Sequence, residues 1–201
     1  MDNNIEIPNS LRLLCKLMSL LTKNCSNTDQ LYESLILEQM PKMGVEIPSN
    51  IGLETIKKWM QSQTYESNNS ITILCGEIIN EFDETKYQLI VSFCLKVLQH
   101  NDIVNMESLI MIEQLIYNLK IEERWYRDEL HKTISVDFLD KNEDIYPIYL
   151  GIEKFNNDED KKDYLTQMYM KWNPVSTNSD SIKSNRAKKI LDLIKKCRAN
   201  I

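Results

Sequence analysis

The chain has 201 residues, 42% of them hydrophobic and 27% charged, with a net charge of −6. That length suits one compact domain or two small ones, and the apolar content is too high for a disordered chain. Its four glycines (Gly44, Gly52, Gly76, Gly151) stand far apart, which excludes the clustered-glycine phosphate loops GxGxxG and GxxxxGKS/T and the GxSxG nucleophile elbow.

The N-terminus, Met1-Asp2-Asn3-Asn4-Ile5-Glu6, is acidic where a signal peptide is basic. A first helix follows the capping signal Pro8-Asn9-Ser10 and carries Leu13, Leu14, Leu17, Met18 and Leu21. Arg12, Cys15, Lys16 and Ser19 interrupt this stretch, which is too short and too polar to span a bilayer. The expected location is therefore cytoplasmic, without membrane contact. After a break at Asn24–Asn27, Asn27 or Thr28 opens a second helix with Leu31, Leu35 and Ile36, ending near Pro41 and Gly44. Pro48-Ser49 caps a third, with Ile51, Ile56, Trp59 and Met60.

Beyond the polar break Glu66–Asn69, a helix carries Ile71, Leu74, Ile78 and Ile79, and Asp83 caps the next, with Tyr87, Ile90, Phe93, Cys94 and Val97. The turn His100-Asn101-Asp102 leads to a helix with Leu109, Ile112, Ile116 and Leu119, and another begins around Glu122 with Trp125, Leu130 and Ile134. Residues 137–146 read as a polar turn or linker. The last two helices run from about Asp158 to Lys171 and from Ile182 to Arg198. No sustained period-2 pattern and no internal repeat occur. The fold class is all-α, a helical bundle of seven to nine helices. It divides into N-terminal helices (1–65), a central helical domain (66–139) and a C-terminal unit (140–201).

Five scattered cysteines (Cys15, Cys25, Cys75, Cys94, Cys197) include no CxxC pair, so they read as reduced thiols rather than zinc ligands. The two histidines, His100 and His131, have no second imidazole at local metal spacing. Paired carboxylates at Glu122-Glu123, Asp128-Glu129 and Asp158-Glu159-Asp160 read as acids near helix starts, where they complement the dipole. Trp59 and Trp125 fall on apolar stripes and read as core. Trp172 ends a helix before Asn173-Pro174. No catalytic constellation, cofactor or metal site is indicated, and a small-molecule substrate is not expected. Residues 183–201 carry seven cations against Asp192, a net +6, leaving −12 on the preceding residues. Such a body repels a nucleic-acid backbone, so direct binding by the chain alone is not expected.

The opening Tyr146-Pro147-Ile148-Tyr149-Leu150-Gly151-Ile152, the helix ending in Lys171-Trp172-Asn173-Pro174-Val175, and the helix from Ala187 to Arg198 together resemble a J-domain, the chaperone-stimulating module of the DnaJ family. Asn173 and Val175 replace the histidine and aspartate of that family's signature, and Thr166 and Gln167 replace the basic pair of the preceding helix. The resemblance therefore implies a J-like hairpin kept for docking, without ATPase stimulation.

The run Val97-Leu98-Gln99-His100-Asn101-Asp102-Ile103-Val104-Asn105-Met106-Glu107, with the helix closing at Asn118-Leu119-Lys120-Ile121, resembles the TerB-like domain of tellurite-resistance proteins and of the DjlA co-chaperone. A TerB-like array followed by a J-like unit is the DjlA order. These resemblances imply a non-catalytic interaction module, an accessory subunit of a larger bacterial assembly in stress or phage defence. Its protein partner would be met at Trp172, Asn173, Lys188, Lys189, Lys195 and Lys196. The alternatives are a co-chaperone engaging a DnaK-type chaperone by non-standard contacts, and a metal-associated tellurite-resistance-type protein.

Overall fold

A computed structural model describes residues 7–22, 33–62 and 69–201. The expected break at 24–27, the cap at Asn27 or Thr28, Leu31, Cys25 and the break at 66–68 lie outside the described residues. Nine α-helices and no β-strand occur among the described residues, so the protein is an all-α helical bundle. The chain divides into two compact units, Met1–Ile134 and Ser135–Ile201. Residues 1–65 and 66–134 fall in the first, and 135–139, read from the sequence with the central domain 66–139, fall in the second.

In the first unit, α1 (Asn9–Leu21) is enclosed on almost every side, with Leu11, Leu13, Leu14, Cys15, Leu17, Met18, Leu20 and Leu21 all buried. It packs against α2 (Leu53–Ser62), α3 (Asn69–Glu81) and α4 (Tyr87–Gln99). Between α1 and α2 the chain forms a π-helical turn, Leu35–Gln39, and a 3-10 turn, Pro41–Met43. α2 begins later than the Pro48-Ser49 signal implies. Those residues form a turn closed by Ile51 N–H on the Pro48 carbonyl at 2.9 Å, and the Gly52 carbonyl accepts the first helical bonds.

α4 also contacts α5 (Met106–Asn118) and α6 (Glu123–Thr133), and α5 packs beside α3. Asn105 caps α5 by accepting from Ser108 N–H at 2.9 Å. Arg127 of α6 is buried and pairs with Glu113 of α5 at 2.7 Å, locking the two helices. Trp59 and Trp125 are only half-buried, contrary to the apolar-stripe reading. α6 is rotated so that Tyr126, Arg127, Leu130 and His131 face inward, leaving Trp125 at the flank. Asp128-Glu129 falls mid-helix rather than near a start.

The α5 C-terminus closes with Ile121 N–H on the Ile116 carbonyl at 3.0 Å and Lys120 N–H on the Tyr117 carbonyl at 3.2 Å. This pair of bonds is a Schellman cap, and it forces Lys120 to φ 53°.

The second unit opens with a 3-10 turn, Val136–Phe138, followed by α7 (Ile145–Leu150), α8 (Asp158–Trp172) and α9 (Ser181–Ala199). Gly151 at φ 80° ends α7, its N–H bonding the Pro147 carbonyl at 2.8 Å while Ile152 N–H returns to the same carbonyl at 3.0 Å. Asn157 caps α8 by accepting from Asp160 N–H, and the acids Asp158, Glu159 and Asp160 occupy its first turn. Asp180 caps α9 by accepting from Ile182 and Lys183 N–H. α8 and α9 pack on each other as an antiparallel hairpin: the Ser184 hydroxyl donates to the Ser176 carbonyl near the turn, and Arg198 donates to Thr166 toward the open end.

Candidate functional site

The six residues singled out in the sequence all lie in the second unit, and the structure separates their roles. Trp172 is the last residue of α8 and is buried at 9% exposure, with the Lys171 ammonium 5.6 Å from its ring centre. Its indole is thus packed into the hairpin rather than displayed. Asn173 is exposed, at φ −57° and ψ −50°. Residues before proline usually avoid that helical region. Here the chain does not stop but tightens into a 3-10 turn, Pro174–Thr177, with Ser176 donating to the Asn173 carbonyl from both N–H (3.2 Å) and Oγ (2.6 Å).

The four lysines fall on two neighbouring lines of α9. Lys188 and Lys195 are exposed and seven residues apart, so they share one line, about 10 Å from end to end. Asp192 lies between them and pairs with Lys195 at 3.0 Å, both side chains mostly in solvent. Such a pair contributes little and yields easily to a partner. Lys189, half-buried, and Lys196, exposed like the first pair, occupy the next line and each touch another part of the unit. Lys189 pairs with the Asp137 carboxylate, and Lys196 sits 6.0 Å from the Tyr146 ring centre.

Lys196 also walls a cleft of about 260 Å³ with Tyr146, Pro147, Ile152, Lys161 and Cys197. The cleft is apolar at Pro147 and Ile152 and carries both charges, Lys161 and Lys196 with Glu143 and Glu153. Lys161 is tied to Asp158 at 3.4 Å. The Cys197 thiol is buried and its pKa is pushed up to about 11 by burial, so it lines the wall as an apolar group. Tyr149 of α7 is fully buried, its phenol pKa pushed upward by burial and partly opposed by the Arg186 charge. The periodicity of α9 alone does not reveal this cleft, because its other walls come from α7 and α8. The available signal is Tyr146, at the head of the run Tyr146–Ile152.

The turn His100-Asn101-Asp102 has a structural occupation. Asn101 is buried, and its amide donates to the Leu21 carbonyl at 2.6 Å. It thereby satisfies an orphan acceptor at the end of α1. Among the described residues no group of three or more His, Cys, Asp and Glu could hold a metal ion. No helix among them is long and apolar enough to cross a membrane. No family model matches the chain, no curated protein matches it, and no solved structure matches it.

Proposed function

We propose that this chain is a non-catalytic interaction protein, an adaptor or accessory subunit of a larger assembly, whose C-terminal unit docks on an acidic protein surface. The observation that carries this reading is the exposed line Lys188–Lys195 on α9, beside a cleft walled by Lys196. Exposed cations steer an acidic partner toward the helix, and the Pro147–Ile152 wall accepts an apolar side chain once contact is made. The test is partner capture by the full chain with Lys188→Glu and Lys195→Glu together. Both side chains are solvent-exposed, so the fold is retained, and capture is expected to fall by about tenfold or more. Capture unchanged by the double reversal would remove the assignment.

A second reading, a co-chaperone, is favoured by the order of the short helix α7, the left-handed Gly151, and the α8–α9 hairpin joined through Trp172-Asn173-Pro174. Asn173 and Val175 stand where the J-domain signature has its histidine and aspartate, so no stimulation of a DnaK-type ATPase is expected. Measured stimulation would replace the adaptor reading with this one.

A further inference from the structure

In the second unit an open cavity of about 450 Å³ lies between the 3-10 turn Val136–Phe138 and the first half of α9. Ser135 and Asp137 line one side, and Asn185, Arg186 and Lys189 line the other. Helical spacing groups the last three: Arg186 follows Asn185 directly, and Lys189 lies one turn beyond both.

The charges here are unevenly matched. The Asp137 carboxylate pairs with Lys189 and accepts from the Ser135 hydroxyl at 3.2 Å. Asp180, at the start of the same helix, accepts from the Ile182 and Lys183 amides and pairs with the Lys183 ammonium at 3.5 Å. Both acids are therefore committed. Arg186 is half-buried, yet it makes no hydrogen bond and no ion pair among the described residues. Lys16, Lys57 and Lys161 are half-buried as well, and each meets a carboxylate, at 3.1, 3.1 and 3.4 Å. A guanidinium partly withdrawn from water loses hydration that only acceptors restore, and it cannot shed its charge by deprotonation. Asn185 likewise keeps its amide without a partner among the described residues, and Lys189 retains N–H donors beyond its Asp137 bond.

We infer that this cavity is an oxyanion site that takes a phosphomonoester, held by the Arg186 fork with Asn185 and Lys189 beside it. A guanidinium binds two oxygens of one anion side by side. A carboxylate has no third oxygen for the amide and the ammonium, whereas a phosphate does, and its second charge answers Lys189 as well as Arg186. Neither Lys188 nor Lys195 takes part, so the site stands or falls apart from the proposed α9 contact.

The test titrates the full chain calorimetrically with inorganic phosphate, with acetate, and with a ten-residue peptide carrying either phosphoserine or serine. Phosphate and the phosphoserine peptide are expected to bind, more weakly as salt rises, and acetate and the serine peptide are expected not to. A phosphopeptide bound tenfold more tightly than inorganic phosphate places the group on a protein segment, and equal binding places it on a small phosphate ester. Arg186→Gln should weaken phosphate binding by about tenfold or more, and Arg186→Lys, which keeps the charge without the fork, by less. Asp137→Asn should tighten it by removing a like charge. Because Arg186 has no partner among the described residues, Arg186→Gln should melt no lower than the unmodified protein. Phosphate should raise Tm of the unmodified protein but not of that variant. No binding of phosphate, equal binding of acetate, or phosphate binding indifferent to Arg186→Gln overturns the proposal.

Discussion

Two helix ends adopt the same left-handed backbone with opposite residues, and they give a signed prediction. Gly151 at φ 80° closes α7 and Lys120 at φ 53° closes α5, both through Schellman bonds. An L-residue in this conformation costs roughly 1–2 kcal/mol. Glycine escapes that penalty but loses about 0.5–1 kcal/mol through its freer unfolded chain. The difference leaves about 1 kcal/mol at each position. Gly151→Ala should therefore destabilise by about 1 kcal/mol and Lys120→Gly should stabilise by about as much. For a chain of this size that corresponds to roughly 2–4 °C in Tm. Urea denaturation followed by far-ultraviolet circular dichroism reads both, with unchanged m-values. Gly76→Ala is the control: its backbone is helical and its Cβ is unopposed, so it should stabilise by roughly 0.5–1 kcal/mol. A rise in midpoint for Gly151→Ala, or a fall for Lys120→Gly, refutes the reasoning.

Other outcomes follow from burial and charge. Arg127→Met strands Glu113, whose side chain keeps 24% exposure, and should cost about 3 kcal/mol in urea denaturation. That is the low end for a broken buried pair, because water reaches the carboxylate. A loss below about 1 kcal/mol would show the pair to be dispensable. The thiols of Cys15, Cys75, Cys94 and Cys197 are buried, and burial raises their pKa values, to about 12 for Cys15 and about 11 for Cys75 and Cys197. All four should stay unlabelled by a disulfide reagent at pH 8 in the native protein and react after denaturation, as mass spectrometry would show. Asp180 is held below its ordinary pKa, first by the Lys183 N–H bond, so its contribution to α9 is present above about pH 3.8 and fades as pH falls through the lower folded value. Asp180→Asn keeps the cap without the titration. The acid-melting profile should lose that component, and an identical profile would contradict it.

The helical class was legible because apolar spacing and caps agree. α8 and α9 begin where Asn157 and Asp180 supply oxygen to free amides, and both ends fall within a residue of the sequence pattern. Depth was less legible. A stripe says which face turns inward but not how far, so Trp59 and Trp125 sit at flanks while Trp172, at a helix end, is the buried one. Ile78 and Ile79 are adjacent and about 100° apart on a helix. α3 buries the first and exposes the second. Which of the α9 lysines are engaged was also hidden. Their partners, Asp137 and Tyr146, lie about 50 residues upstream, and only the packing of the second unit brings them within reach.

In the proposed function α9 meets an acidic partner through its outward cations. The most direct measurement compares capture by the full chain, by Lys188→Glu with Lys195→Glu, and by Lys188→Arg with Lys195→Arg, each at 50 and 300 mM salt. Loss of about tenfold or more is expected for the glutamate pair, retention for the arginine pair, and weakening of the unmodified chain by salt. Equal capture by all three at both salt concentrations would contradict it.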